Sequence, residues 1–301
     1  MKRLVLIDGN AVLHRAYHAI PPLTAPDGSI VNAVYGFTTM LIRLIGDLTP
    51  THVAVAFDRP KPTFRKKLFA AYQAKRPKMD TALVEQIPKI HDLLSSFGIP
   101  IFEKDGFEAD DVIGTLCQKV KSQKLKVKDI DQIIIVTGDR DILQLVRDEK
   151  VLVYMPTKGL SEAKLYDEQA VLDRMGVLPK LIPDYKALAG DASDNYPGVP
   201  GIGPKTAVAL LTKYKTIENV LKKHPFTKEE KASARMSHDL ATIRTNVPIK
   251  GSLVPLGSLN RPEAIDELAK LGFRSLIKRI TGEGKGEEIK KQSNYQQELF
   301  S

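Results

Sequence analysis

RLVLID, residues 3–8, is a short apolar run that stops on an acid. Only four apolar residues precede Asp8, too few for a signal-peptide core. The run therefore reads as a buried strand with a carboxylate at its exit. HVAVAF (52–57) and QIIIVTG (132–138) repeat the pattern, ending next to Asp58 and Asp139, and VLVY (151–154) is a fourth run. The stretches 33–47, 83–97 and 109–121 between them have helical spacing. Strands alternating with helices predict an α/β fold with a parallel sheet covered on both faces. In such sheets a site forms at the carboxyl ends of the strands, so three segments deliver an acid to one edge.

Beyond about residue 180 strand signals fade, and short helical segments alternate with Pro and Gly. The expected organisation is an α/β core over 1–180, a helical domain over 181–281 and a flexible tail over 282–301. The single cysteine, Cys117, excludes an internal disulfide and fits a reducing cytoplasm. No run approaches the roughly 18 apolar residues of a membrane span.

The chain of 301 residues carries 45 Lys and Arg against 36 Asp and Glu, a net charge of +9. Yet FEADDVIG (107–114) crowds Glu108, Asp110 and Asp111 together, TGDRD supplies Asp139 and Asp141, and GDASDN supplies Asp191 and Asp194. With Asp8 and Asp58 these make nine candidate ligands. Setting them aside leaves 27 acids against 45 bases, an excess of 18 positive charges elsewhere. No His or Cys stands beside them at ligand spacing, and the six His residues form no cluster in the sequence. Oxygen-only donors select hard cations, Mg²⁺ or Mn²⁺, over Zn²⁺. A cluster this large can hold two ions near 4 Å apart, the arrangement used for phosphodiester cleavage. A lone Asp at a strand end is more often a helix cap; their shared placement argues for the metal reading.

The segments LIDGNAVLHRAYHA (6–19), FDRPKPTFR (57–65), FEADDVIGTL (107–116), TGDRDILQLV (137–146) and GDASDNYPGVPGIGPKTA (190–207) together resemble the 5′-nuclease domain of bacterial DNA polymerase I, related to flap endonucleases. The resemblance runs over about 1–280 in family order. It implies a resolvase-like core with a helical arch, here about 60–100, that removes 5′ nucleotides and 5′ flaps from DNA in primer removal and repair. It implies that all nine acids match metal carboxylates. Asp8, Asp58, Glu108 and Asp110 would hold the first ion, with Asp111 and Asp139 close by. Asp141, Asp191 and Asp194 would hold the second.

Two segments suit nucleic acid. RPKPTFRKKLFAAYQAKRPK (59–78) reads as a basic helix with Phe64, Phe69 and Tyr72, inserted after Asp58. Basic groups there, Lys75 among them, would hold the strand, and an aromatic such as Tyr72 would stack on a base. By resemblance Arg65 and Arg76 match phosphate contacts. The family pattern Tyr-Lys-x-x-Arg is here YQAKR, so Gln73 stands at the position of a catalytic lysine. On a helix, Lys75 would lie roughly 200° around from it. The second segment, GVPGIG before a helix, is the helix-hairpin-helix signature within 195–211. Gly198, Gly201 and Gly203 would admit a phosphate and Lys205 would add charge; the family places K⁺ there. QQELF (296–300) matches, through Gln296, Leu299 and Phe300, a peptide pattern that docks on the bacterial sliding clamp.

The reading is a monomeric, Mg²⁺-dependent 5′ nuclease of the cytoplasmic nucleoid, working on nicked, gapped or flapped DNA, either free-standing beside a separate polymerase or as a fragment of one. Gln73 keeps open a catalytically weak or inactive DNA-binding module of the same fold. The hairpin argues against a small-molecule phosphatase.

Overall fold

All six residues of Arg3–Asp8 are buried, and they form the central strand, β1. The parallel strands β2 (His52–Ala56) and β4 (Gln132–Val136) flank it. The sheet is completed by β3 (Ile101–Phe102), β5 (Val151–Lys158) and β6 (Glu162–Tyr166) in the order β3-β2-β1-β4-β5-β6, and only β6 runs antiparallel. This computed structural model describes residues 1–122, 130–158 and 162–283. The expected tail beyond 283, with Gln296, Leu299 and Phe300, lies outside the described residues.

The strands are apolar on both faces because both faces are covered. Val5, Ile7, Val53, Val55, Ile134 and Val136 enter one core, against α1 (Gly9–Ala19), α2 (Asn32–Leu48) and α5 (Ile87–Ser96). Leu4, Leu6, Ala54, Ala56, Ile133 and Ile135 enter the other, against α6 (Ala109–Lys121). No described helix is long and apolar enough to cross a membrane.

Three expectations need correction. First, 59–78 is not one helix. It holds only α3 (Phe64–Leu68), with residues 70–76 in turn and bend before α4 (Thr81–Val84). Pro60, Pro62 and Pro77 bound the segment, and Gln73 sits at a φ of 53°, in left-handed backbone that no helix interior holds. Second, the helical stretch expected over 83–97 is broken at Gln86. Its fully buried amide accepts from the Ala33 N–H (2.8 Å) and donates to Asn32 Oδ1 (3.1 Å), tying the joint to α2. Third, the stretch expected as one helical domain over 181–281 divides, its helices lying on both sides of the sheet. After α7 (Glu168–Met175), the helices α8 (Ile182–Ala189), α9 (Pro204–Tyr214), α10 (Ile217–Lys223) and α11 (Lys228–Ala241) join the α6 core. The last two, α12 (Pro262–Lys270) and α13 (Arg274–Thr281), join the opposite core beside α5 and α2.

Candidate active site

Parallel pairing of β1, β2 and β4 puts their carboxyl ends on one edge, and the acids collect there. Asp8, 5% exposed, caps α1 by accepting from the Ala11 N–H (3.0 Å), and takes a second bond from Thr137 Oγ1 (2.7 Å). Asp58 accepts from the Ala109 N–H at the start of α6 (2.7 Å), while Asn10 Oδ1 holds the Asp58 N–H (2.8 Å). Asp139 accepts from the Asp141 N–H (2.8 Å). Among the described residues no protein donor reaches the Asp110 carboxylate.

Burial and neighbouring acids raise Asp8 and Asp110. Burial pushes Asp8 up to about 7, and the Asp58 and Asp139 charges push the same way. Asp110 is raised well above the ordinary range by burial, then by Asp139, Asp8, Asp141 and Glu108. Among the described residues, no three His, Cys, Asp or Glu side chains converge tightly enough to form a finished metal cage. Even so, Asp8, Asp58, Asp110 and Asp139 fit a hard cation by donor chemistry: all are oxygen donors, crowded, and short of protein donors.

Asp111 does not fit. It is fully buried, and its two oxygens accept from Arg65 Nη1 (2.7 Å) and Nη2 (2.9 Å), the Glu108 N–H (3.1 Å) and the Arg244 N–H (2.8 Å). Four donors saturate a carboxylate. The same geometry corrects Arg65, which is 3% exposed. It also donates to Glu108 Oε2 (3.2 Å) and to the carbonyls of Leu240 (2.7 Å) and Thr242 (3.2 Å), so no N–H remains for a phosphate. Glu108 faces the cleft from the same clasp, and burial raises it to about 7.

The second expected ligand group carries protein partners. Lys186 is buried on α8, and its ammonium hydrogen-bonds both Asp141 and Asp191. Burial would strip its proton, but the two carboxylates outweigh that and raise its pKa. Asp194 Oδ2 accepts from Tyr72 Oη (3.0 Å), and its Oδ1 from Gln73 Nε2 (3.0 Å) and Arg76 Nη2 (3.3 Å). The Gln73 N–H donates to the Asp194 carbonyl at 2.8 Å. Tyr72 is 3% exposed, which corrects its reading as a base-stacking platform. Because Gln73 is in a turn, the helical angle between it and Lys75 does not apply; Lys75 is exposed, and Arg76 keeps half its side chain in solvent.

Sequence reading missed Lys186. Its signal is a lysine in the mostly apolar helix IPDYKALA, five residues before Asp191. It also missed the pairing of His14 and His18 along α1, whose Nε2 atoms lie 3.3 Å apart at the cleft.

The hairpin glycines divide. At Gly198 (φ 65°) a Cβ would lie 2.3 Å from the Gly190 nitrogen, and its N–H donates to Ser237 Oγ (3.1 Å). It is a packing glycine, not a phosphate contact. Gly201 (φ 78°) has no atom within 4 Å of a Cβ position, Gly203 caps α9, and Lys205 is exposed. These three remain on the surface side of the hairpin.

Asp8, Asp58, Glu108, Asp110, Asp139, Asp141 and Asp194 line a cleft of about 1040 Å³ together with Arg59, Lys61, Lys66, Arg76 and Lys78. Desolvated acids and basic side chains in one cleft suit a phosphodiester held beside a cation.

The known proteins give the same class, a nuclease with a resolvase-like domain followed by a SAM fold. The 5′-3′ exonuclease N-terminal resolvase-like domain matches residues 3–176, and the 5′-3′ exonuclease C-terminal SAM fold matches 177–262. The chain belongs to the 5′-3′ exonuclease family. A 5′-3′ exonuclease of Aquifex aeolicus is 38% identical over 288 residues, which is 93% of this chain and 96% of the relative. DNA polymerase I of Bacillus caldotenax is 39% identical over 298 residues, 95% of this chain. The chain spans 33% of that relative's length. In structure it resembles a bacteriophage T5 D15 flap endonuclease crystallised with DNA and metal ions, with a TM-score of 0.63, 18% identity and coverage of 98% and 100% of the two chains. Flap endonuclease-1 from Methanococcus jannaschii gives a TM-score of 0.53 at 17% identity, over 99% of this chain and 92% of that one.

Proposed function

We propose that this chain hydrolyses phosphodiester bonds of DNA at 5′ ends and at the base of 5′ flaps, with Mg²⁺ or Mn²⁺ held by Asp8, Asp58 and Asp110 and flanked by Asp139. The observation that carries this reading is Asp110: a crowded carboxylate, aimed at the cleft with Asp8 and Asp139, that no described protein donor reaches. The bound ion supplies Lewis-acid stabilisation of the phosphate and makes water acidic enough to attack at neutral pH. The protein's part is to hold, orient and exclude. Thr137 and Ala11 fix the Asp8 carboxylate. Asn10 and Ala109 fix Asp58 across from it. Lys66 and Arg76, which line the cleft, and the exposed Lys75 would hold the phosphates of the departing strand. Gly201, Gly203 and Lys205 are placed to hold the duplex backbone, which positions without reading sequence; K⁺ in this hairpin belongs to the same proposal.

The second ion expected at Asp141, Asp191 and Asp194 does not fit the donor set as it stands, because Lys186, Tyr72, Gln73 and Arg76 already engage those oxygens. No step is assigned to it.

The biological setting in this reading is primer removal and repair in the bacterial nucleoid, with the chain acting as a monomer. QQELF (296–300) supports docking on the sliding clamp, since two apolar anchors and a glutamine on a tether raise local concentration at a nick. Deleting 296–301 should abolish clamp binding and leave cleavage of a free flap unchanged.

The test of the activity is a labelled 5′-flap duplex with Mg²⁺, beside EDTA and a flap-free duplex. Mg²⁺-dependent cutting at the flap base, lost in Asp58→Asn while flap binding persists, supports the proposal. Flap binding without any cutting by the intact chain would establish the inactive DNA-binding module instead.

A further inference from the structure

The nine acids do not share one electrostatic condition. Asp8, Asp58 and Asp139 have backbone or hydroxyl donors, Asp110 has none among the described residues, and among those residues no ammonium or guanidinium is bonded to any of the four. Asp141 and Asp191 sit on either side of the Lys186 ammonium, whose side chain is 9% exposed. Asp194 is gripped by the base of the 70–76 turn through Tyr72, Gln73 and Arg76. Three negative charges therefore face two positive ones, and every one of the three carboxylates has a donor.

We propose that Lys186 is the second cation of this site: its ammonium stands where the sequence led us to expect a second divalent ion, and the chain binds one divalent ion in its cleft. This rests on the nuclease reading only for what the first ion does; the ion count is a separate matter. A second ion would have to part a buried ion pair and leave the ammonium without a partner, which weakens binding on the order of a hundredfold or more. Lys186 thereby acts as a positioning residue. It holds Asp141 beside Asp139 and Asp191 beside the arch base, while Asp194 keeps the 70–76 turn docked over the cleft. Gln73 donates to Asp194 without adding charge, so the three carboxylates stay one charge in excess of Lys186 and Arg76.

The test counts ions, using Mn²⁺ binding by electron paramagnetic resonance and calorimetry on the full chain without DNA. Wild type should bind one Mn²⁺ per chain below about 1 mM, with a linear rather than squared dependence of cleavage on Mg²⁺. Lys186→Met should open a second site and bind two, and Lys186→Arg should restore one. Asp191→Asn should still bind one, because the ammonium keeps Asp141. Two ions on the wild type, falling to one in Asp191→Asn, would overturn the proposal. So would one ion on both wild type and Lys186→Met, since the lysine then excludes nothing. Should Lys186→Met not fold without metal, the wild type and Asp191→Asn counts decide alone.

Discussion

Replacing Arg65 with Met removes a guanidinium that bonds both oxygens of Asp111, one of Glu108 and two carbonyls at the end of α11, those of Leu240 and Thr242. Asp111 is fully buried, so the variant strands a charge that solvent does not reach. Removing one partner of a buried pair costs about 3–5 kcal/mol. At roughly 2–4 °C per kcal/mol for a chain approaching this size, the midpoint should fall on the order of 10 °C. Differential scanning calorimetry reads this directly. Pairing Arg65→Met with Asp111→Leu should recover part of the loss, but not all, because the Glu108 and Arg244 N–H groups lose their acceptor. The DNA-contact reading of Arg65 predicts the reverse, an unchanged midpoint with flap affinity reduced severalfold. That second result would refute the clasp.

Further outcomes follow from the same geometry. Burial holds Asp8 near 7 in the metal-free chain, above its ordinary 3.8, so the folded state keeps a proton that the unfolded chain loses. The stability this gives is full below the unfolded pKa and is lost as pH rises through about 7. Divalent-ion binding should therefore release protons near pH 6 and few above about pH 8.5, read from calorimetric heats in buffers of different ionisation enthalpy. The gap in melting temperature between Mg²⁺-loaded and EDTA-treated protein should widen as pH rises from about 5 to 8; a flat gap would exclude Asp8 as a ligand. Gly198→Ala should prevent folding or cost more than about 3 kcal/mol, since its Cβ meets backbone at 2.3 Å, whereas Gly201→Ala meets nothing within 4 Å and should cost only about 1–2 kcal/mol of left-handed strain; denaturant titration separates them. Gln73→Lys should change single-turnover cleavage less than about threefold, because the new ammonium pairs with Asp194. An acceleration of about 10²–10³ would show that it reaches the phosphate.

The sheet was legible in the sequence because β1, β2 and β4 are buried on both faces, and continuous apolar runs ending on acids leave few other readings. β3 and β6 were not. Two residues are too few to make a pattern, and β6 is an edge strand with alternating exposure, EAKLY. The gathering of Asp8, Asp58, Asp110 and Asp139 on one edge follows from the parallel topology, which sequence does imply. What several of these carboxylates do there is decided by contacts between residues far apart in the chain. Arg65 reaches Asp111 over 46 residues and the Leu240 carbonyl over 175, and Tyr72 reaches Asp194 over 122. Composition and spacing carry no trace of those distances. Hence a buried clasp read as a phosphate contact, and a turn as a helix.

The EADD segment shows how the fold sorts acids that the sequence presents as equals. Glu108, Asp110 and Asp111 are near neighbours at the start of α6, yet 3.6 residues per turn sends their side chains in different directions. Asp111 turns inward to Arg65 and the Arg244 backbone, where it fixes the helix against the segment after α11. Asp110 turns toward Asp8 and Asp139, where its charge has no answer in the protein. Glu108 stands between, bonded to Arg65, Thr63 and Tyr72 while facing the cleft. The rigidity of the unanswered acid thus comes from its satisfied neighbour: Asp111 locks the helix whose first turn aims Asp110. That coupling makes the clasp part of the metal site at one remove. It predicts that Arg65→Met, held folded below its melting temperature, loses Mn²⁺ affinity as well as stability. Equal Mn²⁺ affinity in that variant and wild type would show that α6 is aimed by its core packing alone.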